Sequence, residues 1–74
     1  MNGLGLRLKR RRQEKGLTQE QVAARLSIHR TTYTKYEADR VEPSLDTLCQ
    51  LAALLGCSVG FLLDEKSPRF ETGG

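Results

Sequence analysis

Tryptophan is absent from the 74 residues, and aromatic side chains make up only 5% of them. A chain of this length has room for one modest core, so aliphatic side chains must fill it. No apolar run approaches the roughly 20 residues that a membrane span requires. The leucines near the basic N-terminus are spaced out by charges rather than massed together, which argues against a secretory signal. The two cysteines, Cys49 and Cys57, lie in apolar surroundings. They read as small buried hydrophobes in a reducing, cytoplasmic compartment rather than as a disulfide. With a single histidine and no CxxC pair, no metal site is expected. Catalytic machinery is missing too: there is no nucleophile beside a base, no paired carboxylates in a plausible pocket and no phosphate-cradling glycine loop. The chain is therefore not expected to be an enzyme, and no cofactor, membrane or small-molecule ligand is expected.

What the chain does have is lopsided charge. The net value is only +3, but residues 1–40 hold ten Lys/Arg against four Asp/Glu, and residues 41–74 hold two against five. A basic half on a small domain suggests one face for a polyanion, although a solvated helix face has a similar composition.

Periodicity is helical almost throughout, and no stretch alternates convincingly as a strand. A first helix is expected from Leu4 to Lys15, stopped by Gly16 as a left-handed cap. A second opens on the capping box Thr18-x-x-Gln21, with Leu17 and Val22 placed to staple across it, and closes near Leu26. After a short turn around Ser27 and Ile28, a third runs from Arg30 to Ala38, where Asp39 tolerates a left-handed conformation. Pro43 makes Arg40–Pro43 a loop. Ser44 caps a fourth helix whose stripe is Leu45, Leu48, Leu51, Ala52 and Leu55, closed by Gly56. Ser58 caps a last short helix to Leu63. The tail over residues 64–74, with Pro68, mixed charge and two final glycines, is expected to be disordered.

Two helices of about eight residues separated by a three- or four-residue turn have the geometry of a DNA-binding helix-turn-helix. Residues Gly16 to Val59 resemble the XRE family, the phage repressor and Cro type of domain. The similarity spans Leu4 to Leu63, and its most specific pieces are Leu17-Thr18-Gln19, Ala23, Glu37, Pro43-Ser44-Leu45 and Leu55-Gly56. The fold this implies is all-α: a five-helix lambda-repressor-like domain over residues 1–63. The implied function is a sequence-specific double-stranded DNA-binding transcriptional regulator of the repressor kind. The competing reading is an antitoxin or adaptor module whose main partner is another protein.

On the third helix Tyr33, Tyr36 and Glu37 share one face, and Thr31, Thr34, Lys35 and Ala38 the other. The resemblance places Arg30, Thr31 and Lys35 at base-reading positions, with Thr34 a lesser candidate; the alternative is a plain solvated face. Gln19, where helix N-terminal donors and a side-chain amide can share a phosphate, is the main phosphate candidate, with Arg10, His29 and Arg40 beside it. Arg12 falls on an apolar face of the first helix, following Leu4 and Leu8, and Glu37 is an acid on a buried face. Two opposite charges so placed are most simply explained by each other, and the resemblance implies the same pair.

Several positions depart from the family pattern. Arg11 stands for an aliphatic residue and has to snorkel or leave its helix loosely packed. Ser27 and Asp39 replace glycines, and His29 replaces a capping Ser or Thr. At the end of the last helix, Phe61 and Leu63 lack an obvious internal partner. They suggest a homodimer on a pseudo-palindromic operator, the alternative being that both close the core over the first helix.

Overall fold

The computed structural model describes residues 3–63. Five helices follow one another, α1 (Leu4–Glu14), α2 (Gln19–Leu26), α3 (Arg30–Glu37), α4 (Leu45–Leu55) and α5 (Val59–Leu63), with no strand among the described residues. The expected tail over 64–74 lies outside them. No helix among the described residues is long and apolar enough to cross a membrane.

Local chemistry sets the boundaries. Thr18 Oγ1 accepts from the Gln21 N–H while Gln21 Oε1 accepts from the Thr18 N–H, so the capping box starts α2. Ser44 accepts from the Thr47 N–H at the start of α4, and Ser58 from the Phe61 N–H at the start of α5. The first four helices end alike. In each, an amide just past the helix reaches back five residues: Leu17 to the Arg12 carbonyl, Ile28 to Ala23, Arg40 to Lys35 and Cys57 to Ala52. The closing residue is left-handed each time, as Gly16, Ser27, Asp39 and Gly56, with φ of 72°, 58°, 58° and 70°.

The core consists of Leu4, Leu8, Val22, Ala23, Tyr33, Tyr36, Leu48, Leu51, Ala52, Leu55 and Leu62. Ala23, in α2, is buried, so its small side chain belongs to the packed face of that helix. Tyr33 and Tyr36 supply the bulk that a tryptophan-free chain lacks, meeting edge to face with ring centroids 6.3 Å apart. The approach of α1 to α3 is closer still. Gly5 is buried, and a β-carbon there would stand 2.1 Å from the carbonyl oxygen of Glu37.

Three expectations are corrected. Leu45 is 68% exposed, because it is the first residue of α4 and sits on the margin of the stripe centred on Leu48, Leu51 and Leu55. Cys49 is exposed and Cys57 half-buried, so neither is a core residue. One 100° step beyond Leu48 turns Cys49 toward solvent. Arg11 is not a mere misfit on its helix: its Nε and a terminal nitrogen donate to the Leu55 carbonyl at 3.2 and 2.7 Å. It thus supplies a cation to the C-terminus of α4, whose own last turn has none.

Asp39 offsets the strain of its left-handed backbone in a way the sequence concealed. Helix α1 starts at Gly3, which has no side-chain cap. The Asp39 carboxylate, arriving from the end of α3, accepts the Gly5 N–H at 3.0 Å. One residue therefore ends the third helix and caps the first.

Candidate nucleic-acid interface

The packing of α2 on α3 leaves the outward side of α3 bare. Arg30, Thr31, Thr34 and Lys35 are all exposed and line one shallow cleft. A second, more polar cleft lies at the N-terminus of α2, lined by Arg12, Gly16, Leu17, Thr18, Gln19, Glu20 and Arg30. Arg30 belongs to both, so a guanidinium stands where the surface of α3 meets the free amides that begin α2. His29 is exposed at the N-cap of α3 and makes no side-chain cap bond. Arg10, on the solvent side of α1, and Arg40, just past the far end of α3, are exposed but line neither cleft.

Behind this surface is a polar cluster centred on Glu37. Arg12 Nε donates to Glu37 Oε2 at 2.6 Å, and a second guanidinium nitrogen donates to Oε1 at 3.2 Å. The two side chains are only 11% and 5% exposed, a two-pronged pairing suited to Arg. The third nitrogen of Arg12 donates to the Leu17 carbonyl at 2.9 Å, tying α1 to the start of α2. The hydroxyl of fully buried Tyr33 donates to Glu37 Oε2 at 2.5 Å, and Gln19 Nε2 donates to Oε1 at 3.0 Å. Burial opposes ionisation of Glu37, yet the bonds from Arg12, Tyr33 and Gln19 outweigh it and hold the carboxyl below its ordinary range. Burial, then the bond to Glu37, pushes the Tyr33 hydroxyl strongly upward, so it stays a donor. The bond to Glu37 raises the Arg12 guanidinium further against the cost of burial.

A carboxyl whose folded pKa is depressed stabilises the fold above its unfolded value, and that contribution is lost as pH falls through the folded value. The melting temperature is therefore expected to drop as pH falls below about 4.3, the ordinary Glu value. Thermal melts from pH 7 to 3 should show a shallower fall in Glu37→Gln than in the wild type. Parallel curves would mean that Glu37 is not a source of the acid sensitivity.

Sequence reasoning placed Arg12 and Glu37 opposite each other but missed two members of the cluster. Gln19 was read only as a residue reaching for phosphate; that it is half-buried and also donates inward to Glu37 was not foreseen. Tyr33 was read as core only. Its spacing of four from Glu37 on one helix face was the available signal, since i and i+4 side chains touch.

A buried-core helical domain with two short helices joined at a tight turn, one presenting a bare polar face, is a helix-turn-helix domain of the lambda-repressor-like fold. A sequence profile described as Helix-turn-helix matches residues 8–62, and the chain belongs to this family, the XRE family that its motifs resemble. It is 43% identical over 67 residues to the SPbeta prophage-derived HTH-type transcriptional regulator YonR of Bacillus subtilis, covering 90% of this chain and 62% of that protein. It is 42% identical over 71 residues to the HTH-type transcriptional regulator ImmR of the same organism, covering 93% and 56%. The immunity repressor protein of Bacillus phage phi105 is 38% identical over 64 residues, covering 86% and 44%. The chain thus spans between 44% and 62% of the length of these relatives.

Proposed function

We propose that this domain binds double-stranded DNA sequence-specifically and acts as a transcriptional repressor, with α3 in the major groove. The observation that carries this reading is the outward face of α3. Its exposed residues Arg30, Thr31, Thr34 and Lys35 combine hydrogen-bonding groups, small side chains and positive charge, the mixture that base edges require. The adjoining N-terminus of α2, with Gln19 and Arg30 at its mouth, suits a backbone phosphate. Arg10, His29 and Arg40 add exposed positive or hydrogen-bonding groups that can meet flanking phosphates. The names of the relatives support the same class of activity.

Selection of bound sequences from a random duplex library tests the reading. A consensus site should emerge, with affinity falling steeply as salt rises. On that site Lys35→Ala is expected to relax preference at one or two positions by about 1–3 kcal/mol. Replacing Gln19 by Ala should instead weaken all duplexes about equally. If both changes weaken every duplex equally, α3 is not the reader.

One recognition helix covers too few base pairs to select a site in a genome, so the reading includes a homodimer on a pseudo-palindromic operator. Phe61 and Leu63, 46% and 36% exposed on α5, form the apolar surface proposed for it. Phe61→Asp is expected to split the dimer and weaken operator binding while the circular dichroism spectrum stays helical. A wild type that remains monomeric by ultracentrifugation at high concentration, and fills two half-sites independently, refutes the dimer.

A further inference from the structure

Gln19 is held at both ends of its amide. Its Nε2 donates to Glu37 Oε1 at 3.0 Å, and its Oε1 accepts from Thr34 Oγ1 at 3.3 Å. An ionised carboxylate only accepts hydrogen bonds, so Glu37 decides which way the amide faces: the opposite orientation would set two acceptor oxygens against each other at the same spacing. An amide nitrogen carries two hydrogens, and Glu37 takes one. The second is the donor left for a phosphate oxygen. Thr34 has one hydroxyl hydrogen, shared between the Arg30 carbonyl at 2.9 Å and the Gln19 oxygen. Its one donor is thus committed to its own helix and to α2, and is not left for a base acceptor.

We infer that Thr34 and Glu37 are positioning residues that clamp the Gln19 amide for its phosphate contact, and that Thr34 does not read a base. The inference rests on the DNA-binding reading above and changes the role of one residue in it. The clamp joins the grip on the DNA backbone, at the start of α2, to the exposed face of α3. Loss of Thr34 therefore has the signature of a lost phosphate contact.

Thr34 is exposed, so its variants are expected to fold, and Thr34→Val keeps the shape while removing the hydroxyl. Affinity for the selected duplex and for a scrambled one is measured by fluorescence anisotropy. Nitrogen relaxation of the Gln19 side-chain amide is measured without DNA. Thr34→Val is expected to weaken both duplexes by the same factor, about two- to tenfold, the range of one net hydrogen bond. Thr34→Ser should retain wild-type affinity. In a Gln19→Met background, Thr34→Val should cost nothing more, and in the free protein the Gln19 amide should lose order in Thr34→Val but not in Thr34→Ser. A loss confined to one base-pair position, additive losses in the double variant, or Thr34→Ser as weak as Thr34→Val would overturn the assignment. Normal DNA binding with an equally ordered amide in every variant sinks the clamp alone. An ordered amide in a wild type that binds no duplex sinks the DNA-binding reading and with it the purpose assigned to the clamp.

Discussion

Replacing Arg12 by Met is expected to cost about 3–5 kcal/mol, because it strands the Glu37 carboxylate in a site where it is 5% exposed. Methionine keeps most of the apolar stem, so the loss reports the charge rather than the packing. A domain of this size has a total stability near the low end of about 5–15 kcal/mol, so the variant should be partly unfolded at 37 °C. The companion variant sharpens the test. Arg12→Met combined with Glu37→Leu removes both charges and should recover much of the loss, since an apolar pair of similar volume often matches or exceeds a buried ion pair. Urea titrations of the four proteins complete the cycle. A single variant as stable as the wild type would show that the pair contributes nothing to the fold.

A change of one methyl group, Gly5→Ala, is expected to be nearly as damaging. The new β-carbon would stand 2.1 Å from the Glu37 carbonyl oxygen and 2.7 Å from its carbon. Both are backbone atoms, so no rotamer change relieves the overlap and α1 has to back away from α3. Overpacking costs about 1–3 kcal/mol where side chains can shift, and here the upper end or more is expected. Withdrawal of α1 also lengthens the Asp39 cap on Gly5 and the Arg12–Glu37 contact. Gly60→Ala is the matched control. It lies in α5, and the nearest atom to its added carbon is Ser58 Oγ at 3.8 Å, so helix propensity alone predicts equal or higher stability. Equal melting temperatures for Gly5→Ala and the wild type would mean that the helices do not approach this closely.

The contrast between these residues shows what the sequence disclosed. Helix ends were legible because each is set by neighbours in the chain: the Thr18–Gln21 box, Ser44 before Leu45, Gly16 and Gly56 after the last turns. The facing of Arg12 and Glu37 was legible because each breaks an apolar stripe, and two breaks of opposite sign invite pairing. Asp39 gave no comparable sign. Its bond to Gly5 spans 34 positions, and nothing local marks a residue that ends one helix and caps another. Arg11 was read as a misfit because its partners at the end of α4 are main-chain carbonyls, which no residue type announces. Leu45 and Cys49 were misplaced for a simpler reason: periodicity gives the direction of a stripe but not its margin. The roles of Gln19 and Thr34 depended on which atoms of an amide face inward, a matter of a few ångströms that spacing along a helix does not encode.

The Glu37 cluster also governs how the domain comes apart. Arg12 comes from α1, Gln19 from α2, and Tyr33 and Glu37 from α3, so none of these helices can detach while the others keep the carboxylate satisfied. Local fraying, the ordinary way a small helical protein loosens, is thereby suppressed in the first three helices. Opening there is expected to be concerted, whereas the five-residue α5, anchored mainly by its one buried side chain, Leu62, and a bond from Arg7 to the Leu62 carbonyl, has less to hold it. In native-state hydrogen exchange α1, α2 and α3 are therefore expected to be protected as one cooperative unit, and the element that carries Phe61 and Leu63 to exchange first.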